Sequence, residues 1–451
     1  VRMLTRRSRT FVCVFAGAPG MILLAAAGFA AGDGWEPLFN GRDLSGWVPL
    51  DVAPGTFVAR DGMVVCTGVP TGLMRTGRMY ENFELEMEWR HMKAGGNAGL
   101  FLYADPLPRV GSPFARGLEV QILDLGFDRP GKNEWYTTHG DVFAVGGARM
   151  TPTGRISKTG QRSFPTEERT RPSPEWNHYR VVATNGVIRL SVNGKEVSVG
   201  VGTSPRKGYL CLESEGSEWH ARNIRIRELP TTHPSPEEIA EEARGFTMLY
   251  NGVDLQGWRP DPGHAGHWQP KDWILAYDGK SEAADKSLWT EREFGDFVLV
   301  CDWRWSRKPK PAMRPVLSPS GEPEKGADGK PREIEVPDAG DSGIYLRGSS
   351  KAQVNRWCWP VGSGEVYGYR TDPEMPADVR AAVTPKKKAD QPIGQWNTFH
   401  ITMRGERLTV ELNGETVIED ARLPGVPARG PIALQHHGDP IEFANLFVRE
   451  M

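Results

Sequence analysis

The chain is written twice. Leu38-Phe39-Asn40-Gly41-Arg42-Asp43-Leu44-Ser45-Gly46-Trp47 returns as Leu249-Tyr250-Asn251-Gly252-Val253-Asp254-Leu255-Gln256-Gly257-Trp258, an offset of 211 residues. Glu175-Trp176-Asn177 returns as Gln395-Trp396-Asn397, and Asn193-Gly194 as Asn413-Gly414, both at offset 220. Ala221-Arg222-Asn223-Ile224-Arg225-Ile226 closes the first copy, and Ala444-Asn445-Leu446-Phe447-Val448 closes the second. Motifs kept in order at slowly growing offsets describe one duplicated domain, with a period too long for a solenoid. Whatever the unit folds into, it must do so within about 200 residues and twice.

The periodicity inside each copy is that of strands. From Glu84 to Arg90, Leu85, Met87 and Trp89 fall on one face and the charged residues on the other. Val187–Val192 runs into Asn193-Gly194 and out again through Lys195-Glu196-Val197, and Leu408–Leu412 does the same at Asn413-Gly414, the pattern of a tight hairpin. Gly and Pro together are 88 of 451 residues, above the roughly 12% average, which favours many turns and few long helices. An antiparallel sandwich is expected in each copy. Lys308 to Asp338, rich in Pro, Gly and charge, reads as a long inserted loop. The 230–245 segment reads as a linker, with a short helix starting at Ser235-Pro236-Glu237-Glu238.

Residues 1–31 stand apart from the fold. Arg2, Arg6, Arg7 and Arg9 precede an apolar run from Phe11 to Ala30 that ends in small residues, the order of a secretory signal with cleavage near Ala30. Export to a bacterial periplasm or the medium is therefore expected. No later run approaches the ~20 apolar residues of a membrane-spanning helix. Cys66, Cys211, Cys301 and Cys358 then remain, outside any C-x-x-C or zinc spacing, and read as buried free thiols. With 55 Lys+Arg against 57 Asp+Glu, the chain lacks the positive field that nucleic acid requires.

The opening L-F-N-G-x-D-L-x-G-W, Gly95-Gly96-Asn97-Ala98-Gly99-Leu100-Phe101, Glu119-Val120-Gln121-Ile122, Glu175-Trp176-Asn177 and the closing R-N-I-R-I resemble the 3-keto-disaccharide hydrolase domain family. The resemblance runs over nearly all of 35–451, twice. It implies an all-β chain of two tandem concanavalin A-like jelly-roll sandwiches, at 32–229 and 246–451. It also implies an exported enzyme that cleaves glycosides whose sugar carries a ketone at C3. The chain holds no nucleotide-binding fingerprint, so a separate enzyme would oxidise the sugar upstream. No cofactor and no metal is assigned; His436, His437 and Asp439 do not make a plausible ligand set, because adjacent strand residues point apart.

Gly117 to Leu123 reads as a strand with Glu119, Gln121 and Leu123 on one face. A retaining glycosidase wants a second carboxyl about 5–5.5 Å away, and Gln121 occupies the i+2 place. An ordinary glycosidase would need a carboxylate from elsewhere, with Glu88 and Asp124 as candidates. A 3-keto sugar offers another route, since the ketone acidifies the C2 hydrogen and lets the C1 substituent leave by elimination. That chemistry asks for a base, an acid and donors for the enolate oxygen. Glu119 is the expected base and His139 the expected acid, with Asp141 orienting it. Gln121, Asp124, Trp135, Tyr136 and Arg149 complete the expected substrate contacts in copy one. In copy two Gln353 stands at the place of Glu119, and Asn355 at that of Gln121, so the same base is missing there. Arg347, Gln353, Asn355, Tyr367 and His436 are its expected substrate contacts. The rival expectation is a lectin-like binding protein with no catalysis.

Overall fold

The computed structural model describes residues 34–127 and 134–451; the expected signal segment 1–31 lies outside them. Each copy is a jelly-roll sandwich of two antiparallel sheets. The larger sheet of copy one centres on Phe83–His91, between Asn177–Thr184 and Trp219–Glu228. Leu85, Met87 and Trp89 point into the core, as their alternation requires. Among the described residues the facing sheet has eight strands: β1 (Trp47–Leu50), β2 (Gly72–Thr76), β3 (Asn97–Ala104), β4 (Gly117–Leu123), β5 (Val142–Val145), β6 (Arg155–Ile156), β7 (Arg162–Phe164) and β8 (Tyr209–Ser214). Their order in space is β6-β7-β5-β4-β3-β8-β2-β1.

Copy two keeps a large sheet around Phe297–Trp305 but reduces the facing sheet to four strands. These are β9 (Leu288–Phe294), β10 (Asp341–Leu346), β11 (Ser349–Trp357) and β12 (Gly430–Leu434), ordered β9-β12-β10-β11. Two short helices, Tyr367–Arg370 and Ala377–Ala382, follow where copy one has β5 to β7. The segment expected as a plain loop at 308–338 is instead framed by a hairpin, Lys310–Pro315 paired with Glu333–Asp338. Its charged and Pro-rich composition belongs to a solvent-exposed ribbon whose backbone pairs only with itself. Pro236–Glu238 forms the one-turn helix expected in the linker. Cys66, Cys211, Cys301 and Cys358 are buried free thiols. Among the described residues, no helix is long and apolar enough to cross a membrane.

The copies stack front to back. Val300 and Phe447 are cross-strand partners on the outer face of copy two's large sheet. They pack on Leu50, Leu73, Phe101, Tyr209 and Cys211 of copy one's smaller sheet. The corresponding positions on the back of copy one are Glu86 and Arg225, again cross-strand partners, joined there by a 2.9 Å hydrogen bond. One exchange of an ion pair for two apolar side chains thus turns a solvated back into a docking surface. Asp302 Oδ2 fixes the seam by accepting from Gly111 N at 2.8 Å and from Asn445 Nδ2 at 2.7 Å.

Candidate functional site

β3 lies between β4 and β8, and its Gly99 is the floor of the site. A Cβ at Gly99 would stand 2.8 Å from Glu119 Oε1 on one side and 2.7 Å from Glu213 Oε2 on the other. The two carboxyl oxygens are thus no further apart than those two distances laid end to end. Glu119 comes from β4 and Glu213 from β8, so glycine at the strand between them is what lets the two side chains converge. Both carboxyls are buried, and both are pushed well above the usual carboxylate range by burial first and by neighbouring carboxylates second. Burial and the acidic neighbours thus favour the protonated form of each carboxyl.

Around this pair runs a connected polar frame. Glu215 accepts from Asn97 Nδ2, and Gln121 Nε2 donates to Asn97 Oδ1 at 3.0 Å. Arg162 Nη1 donates to Gln121 Oε1 at 3.0 Å, pairs with Asp141 at 3.5 Å and lies 3.6 Å above the Phe143 ring. Its positive charge opposes the rise at Glu119. Phe114, Phe127, Tyr136 and Phe143 are the aromatic part of the lining of a cleft of about 260 Å³. That is below the roughly 300–1,000 Å³ of sites for drug-sized ligands. Copy two, seated on Phe101 and Leu73, covers the sheet beyond Glu213.

The structure brings Glu119, Gln121 and Tyr136 together in this cleft. The other expected residues lie elsewhere. His139 is buried in a left-handed turn (φ 47°) and does not line the cleft. Asp141 is fully buried; it accepts from Thr137 N at 2.9 Å and pairs with Arg162 at 3.5 Å. Asp124 ties loops together, accepting from Gly95 N, Gly126 N and Ser173 N, and these bonds hold its pKa below the usual value. Trp135 is largely exposed, outside the cleft lining. Arg149 sits on a strand paired with Lys195–Ser204, at a separate surface depression. Glu88 is on the outer face of the large sheet, bonded to Arg222. The residues that sequence reasoning missed are Asn97, Arg162, Glu213 and Glu215.

In copy two, Gln353 and Asn355 occupy the positions of Glu119 and Gln121, facing Tyr345 and Gly343 of β10. Gln435, one residue past β12, takes the place of Glu213 and accepts from Gln353 Nε2. A pair of amides thus replaces the pair of carboxyls. The frame persists: Glu365 is buried against Arg370, whose guanidinium lies 5.3 Å from the Tyr367 ring. Backbone pairing fixes the equivalence, since Gln121 N donates to Asp141 O as Asn355 N donates to Glu365 O. Arg347 does not reach this face. It clamps backbone at the end of β10, donating to Gly295 O at 2.7 Å and pairing with Asp296 at 2.8 Å. His436 lies against the Tyr277 hydroxyl on the other side of the strand end from Gln435. Tyr367 packs edge-on to Trp357 at 6.1 Å.

Fold and cleft define a tandem of concanavalin A-like sandwiches with an acidic pocket in the first and an amide-lined face in the second. The chain belongs to the 3-keto-alpha-glucoside-1,2-lyase-like domain family, whose profile matches residues 34–227 and again 245–449. Over 183 residues it is 34% identical to the 3-keto-disaccharide hydrolase of Bacteroides thetaiotaomicron, covering 37% of this chain and 58% of that protein. Among solved structures it resembles a Parabacteroides distasonis chain provisionally named a glycosyl hydrolase, at 21% identity and TM-score 0.35, over 44% of this chain and 94% of that one. A carbohydrate binding module, CBM66 of Bacillus subtilis, aligns at 12% identity and TM-score 0.29, over 41% and 96% of the two chains.

Proposed function

We propose that copy one cleaves 3-keto-glycosides by removing the C2 proton and expelling the C1 substituent. The observation that carries the reading is the pair Glu119 and Glu213, two buried carboxyls that converge over Gly99. Family membership supports a 3-keto-glycoside as the substrate class. Arg162 opposes the rise at Glu119, whereas burial, Glu119 and Glu215 all raise Glu213, so Glu119 takes the role of base and Glu213 that of acid.

The C2–H bond breaks, its proton passes to Glu119, and its electron pair is delocalised onto the C3 oxygen as an enolate. The electrons then return to form the C1=C2 double bond as the C1–O bond breaks, and Glu213 protonates the departing oxygen. Arg162 supplies positive charge for the enolate, held in place by Gln121, Asp141 and Phe143. Addition of water to the enone at C1 completes a net hydrolysis; release of the enone would make the enzyme a lyase. A small cleft, with copy two covering the sheet beyond it, supports action on disaccharides or terminal residues rather than inside long chains.

A second reading has its own support. The spacing of the pair is also compatible with the approximately 5–5.5 Å of retaining glycosidases, which would act on unoxidised sugars by double displacement. A paired assay on a glucoside and its 3-keto form, following free sugar and enone absorbance, separates the two. Cleavage of only the 3-keto form is expected; equal cleavage of both would overturn the elimination route. In the cell, an exported protein supplied by a sugar-oxidising partner fits this chemistry.

A further inference from the structure

The smaller sheet of copy two is open where that of copy one is covered. Gln353, Tyr345, Ala433 and Trp289 form one row across β11, β10, β12 and β9. Ala433 is small, so the Trp289 and Tyr345 rings meet above it, stacked at 5.6 Å between centroids and 27° between planes. Both rings are half-buried, and the apolar row at the same place in copy one lies under Val300 and Phe447. Beside the rings stand the Gln353–Gln435 amide pair and Asn355. Asn355 is 3% exposed, and its Oδ1 has no hydrogen-bond partner among the described residues. A buried acceptor left unmatched costs about 1–3 kcal/mol, so its retention points to a ligand that supplies the donor.

We propose that this face of copy two binds a neutral pyranosyl saccharide and holds it without cleaving it. Amides both donate and accept, which matches the paired hydroxyls of a sugar ring, and the half-buried Trp289 and Tyr345 rings offer apolar surface for its C–H groups. The arginines nearby are already paired, Arg370 with Glu365 and Arg307 with Asp439 at 2.6 Å, and the remaining acids, Asp285 bonded to Trp289 Nε1 and Asp341 on β10, repel an anion. An anionic ligand therefore gains little. A second copy of the chain is a poor occupant, because the matching back surface of copy one carries Glu84, Glu86 and Glu88 in ion pairs with arginines. Docking that surface here would bury them. Removing the carboxyls removes the base and the acid proposed for copy one, so binding is what remains.

The test uses the full chain carrying Glu119→Gln, titrated with cellobiose, trehalose, sucrose and lactose, and read by calorimetry and tryptophan fluorescence. Saturable binding of at least one sugar is expected, with Kd on the order of 1 mM. Trp289→Ala and, separately, Gln353→Leu should each weaken it at least about tenfold, since each removes one half of the site. The leucine variant preserves volume and guards against a misfolded alanine variant. No saturable binding by any of the four sugars, or binding unchanged in both variants, would overturn the proposal. Cleavage in copy one is measured separately by the paired assay, so failure there leaves this result standing, and the reverse also holds.

Discussion

The two copies share a frame and differ at its centre. In copy one Asp141, Arg162 and Phe143 brace the site, and in copy two Glu365, Arg370 and Tyr367 do the same. At the centre, Glu119 and Glu213 face Gln353 and Gln435, a change of two acids for two amides at nearly constant shape. A second difference is on the backs of the sandwiches, where Glu86 and Arg225 in copy one correspond to Val300 and Phe447 in copy two. Two exchanges therefore separate the copies: one replaces two carboxyls by two amides, the other gives copy two the apolar back that seats it on copy one. A duplicated scaffold need not duplicate its chemistry.

The comparison breaks most easily at the carboxyl pair. Glu119→Gln should lower kcat on a 3-keto-glycoside by about a thousandfold, and Glu213→Gln comparably, with the double variant no worse than either single one, because the pair acts as a unit. Initial-rate kinetics decide this. The same kinetics should show an acidic limb displaced upward from about pH 4.3, since burial raises the base and protonating it stops the reaction.

The reverse exchange sharpens the contrast. Gln353→Glu with Gln435→Glu should place two like carboxyls in copy two, with folded pKa values raised above the unfolded ones. The sequence of signs is then fixed: near pH 4 both are protonated and the penalty vanishes, and it grows as pH rises to 8, reaching about 2–4 kcal/mol. Thermal melts at the two pH values test it, and an unchanged Tm at pH 8 would count against the proposed similarity of the two centres.

Two smaller effects follow. Gly99→Ala should push Glu119 and Glu213 apart and cost about a hundredfold in kcat/KM, with Tm as the control for folding. At the seam, burial raises the Asp302 carboxyl to about 6, so it favours the folded state below its unfolded pKa and loses that advantage as pH rises through 6. Asp302→Asn should flatten the fall in stability between pH 5 and 8 by about 1–2 kcal/mol, read from denaturant melts.

Much of the fold was legible because duplication and period-two alternation are local signals. Leu85, Met87 and Trp89 point inward as their spacing demands, and the hairpins at Asn193-Gly194 and Asn413-Gly414 close where the dipeptides stand. Glu119 and Gln121 were legible on one strand for the same reason. Glu213 was not, because its partnership with Glu119 crosses β3, and only the sheet order brings β4 and β8 to either side of Gly99. Its signal was present in Leu212-Glu213-Ser214-Glu215, which sets two carboxyls at i and i+2 on one strand face. Arg162 was hidden for a like reason: it approaches Gln121 from a strand two places away in the sheet. His139 drew attention by residue type, yet its left-handed turn buries it away from the cleft lining.

The most direct test of the account is turnover of a 3-keto-glycoside in D₂O, with the released 3-keto sugar analysed by mass spectrometry and proton NMR against an enzyme-free control. Proton abstraction at C2 followed by addition of water predicts one deuterium at C2 beyond the control, acquired as the enone is hydrated. A cleaved product with no excess deuterium at C2 would contradict it, and would move copy one to double displacement at C1.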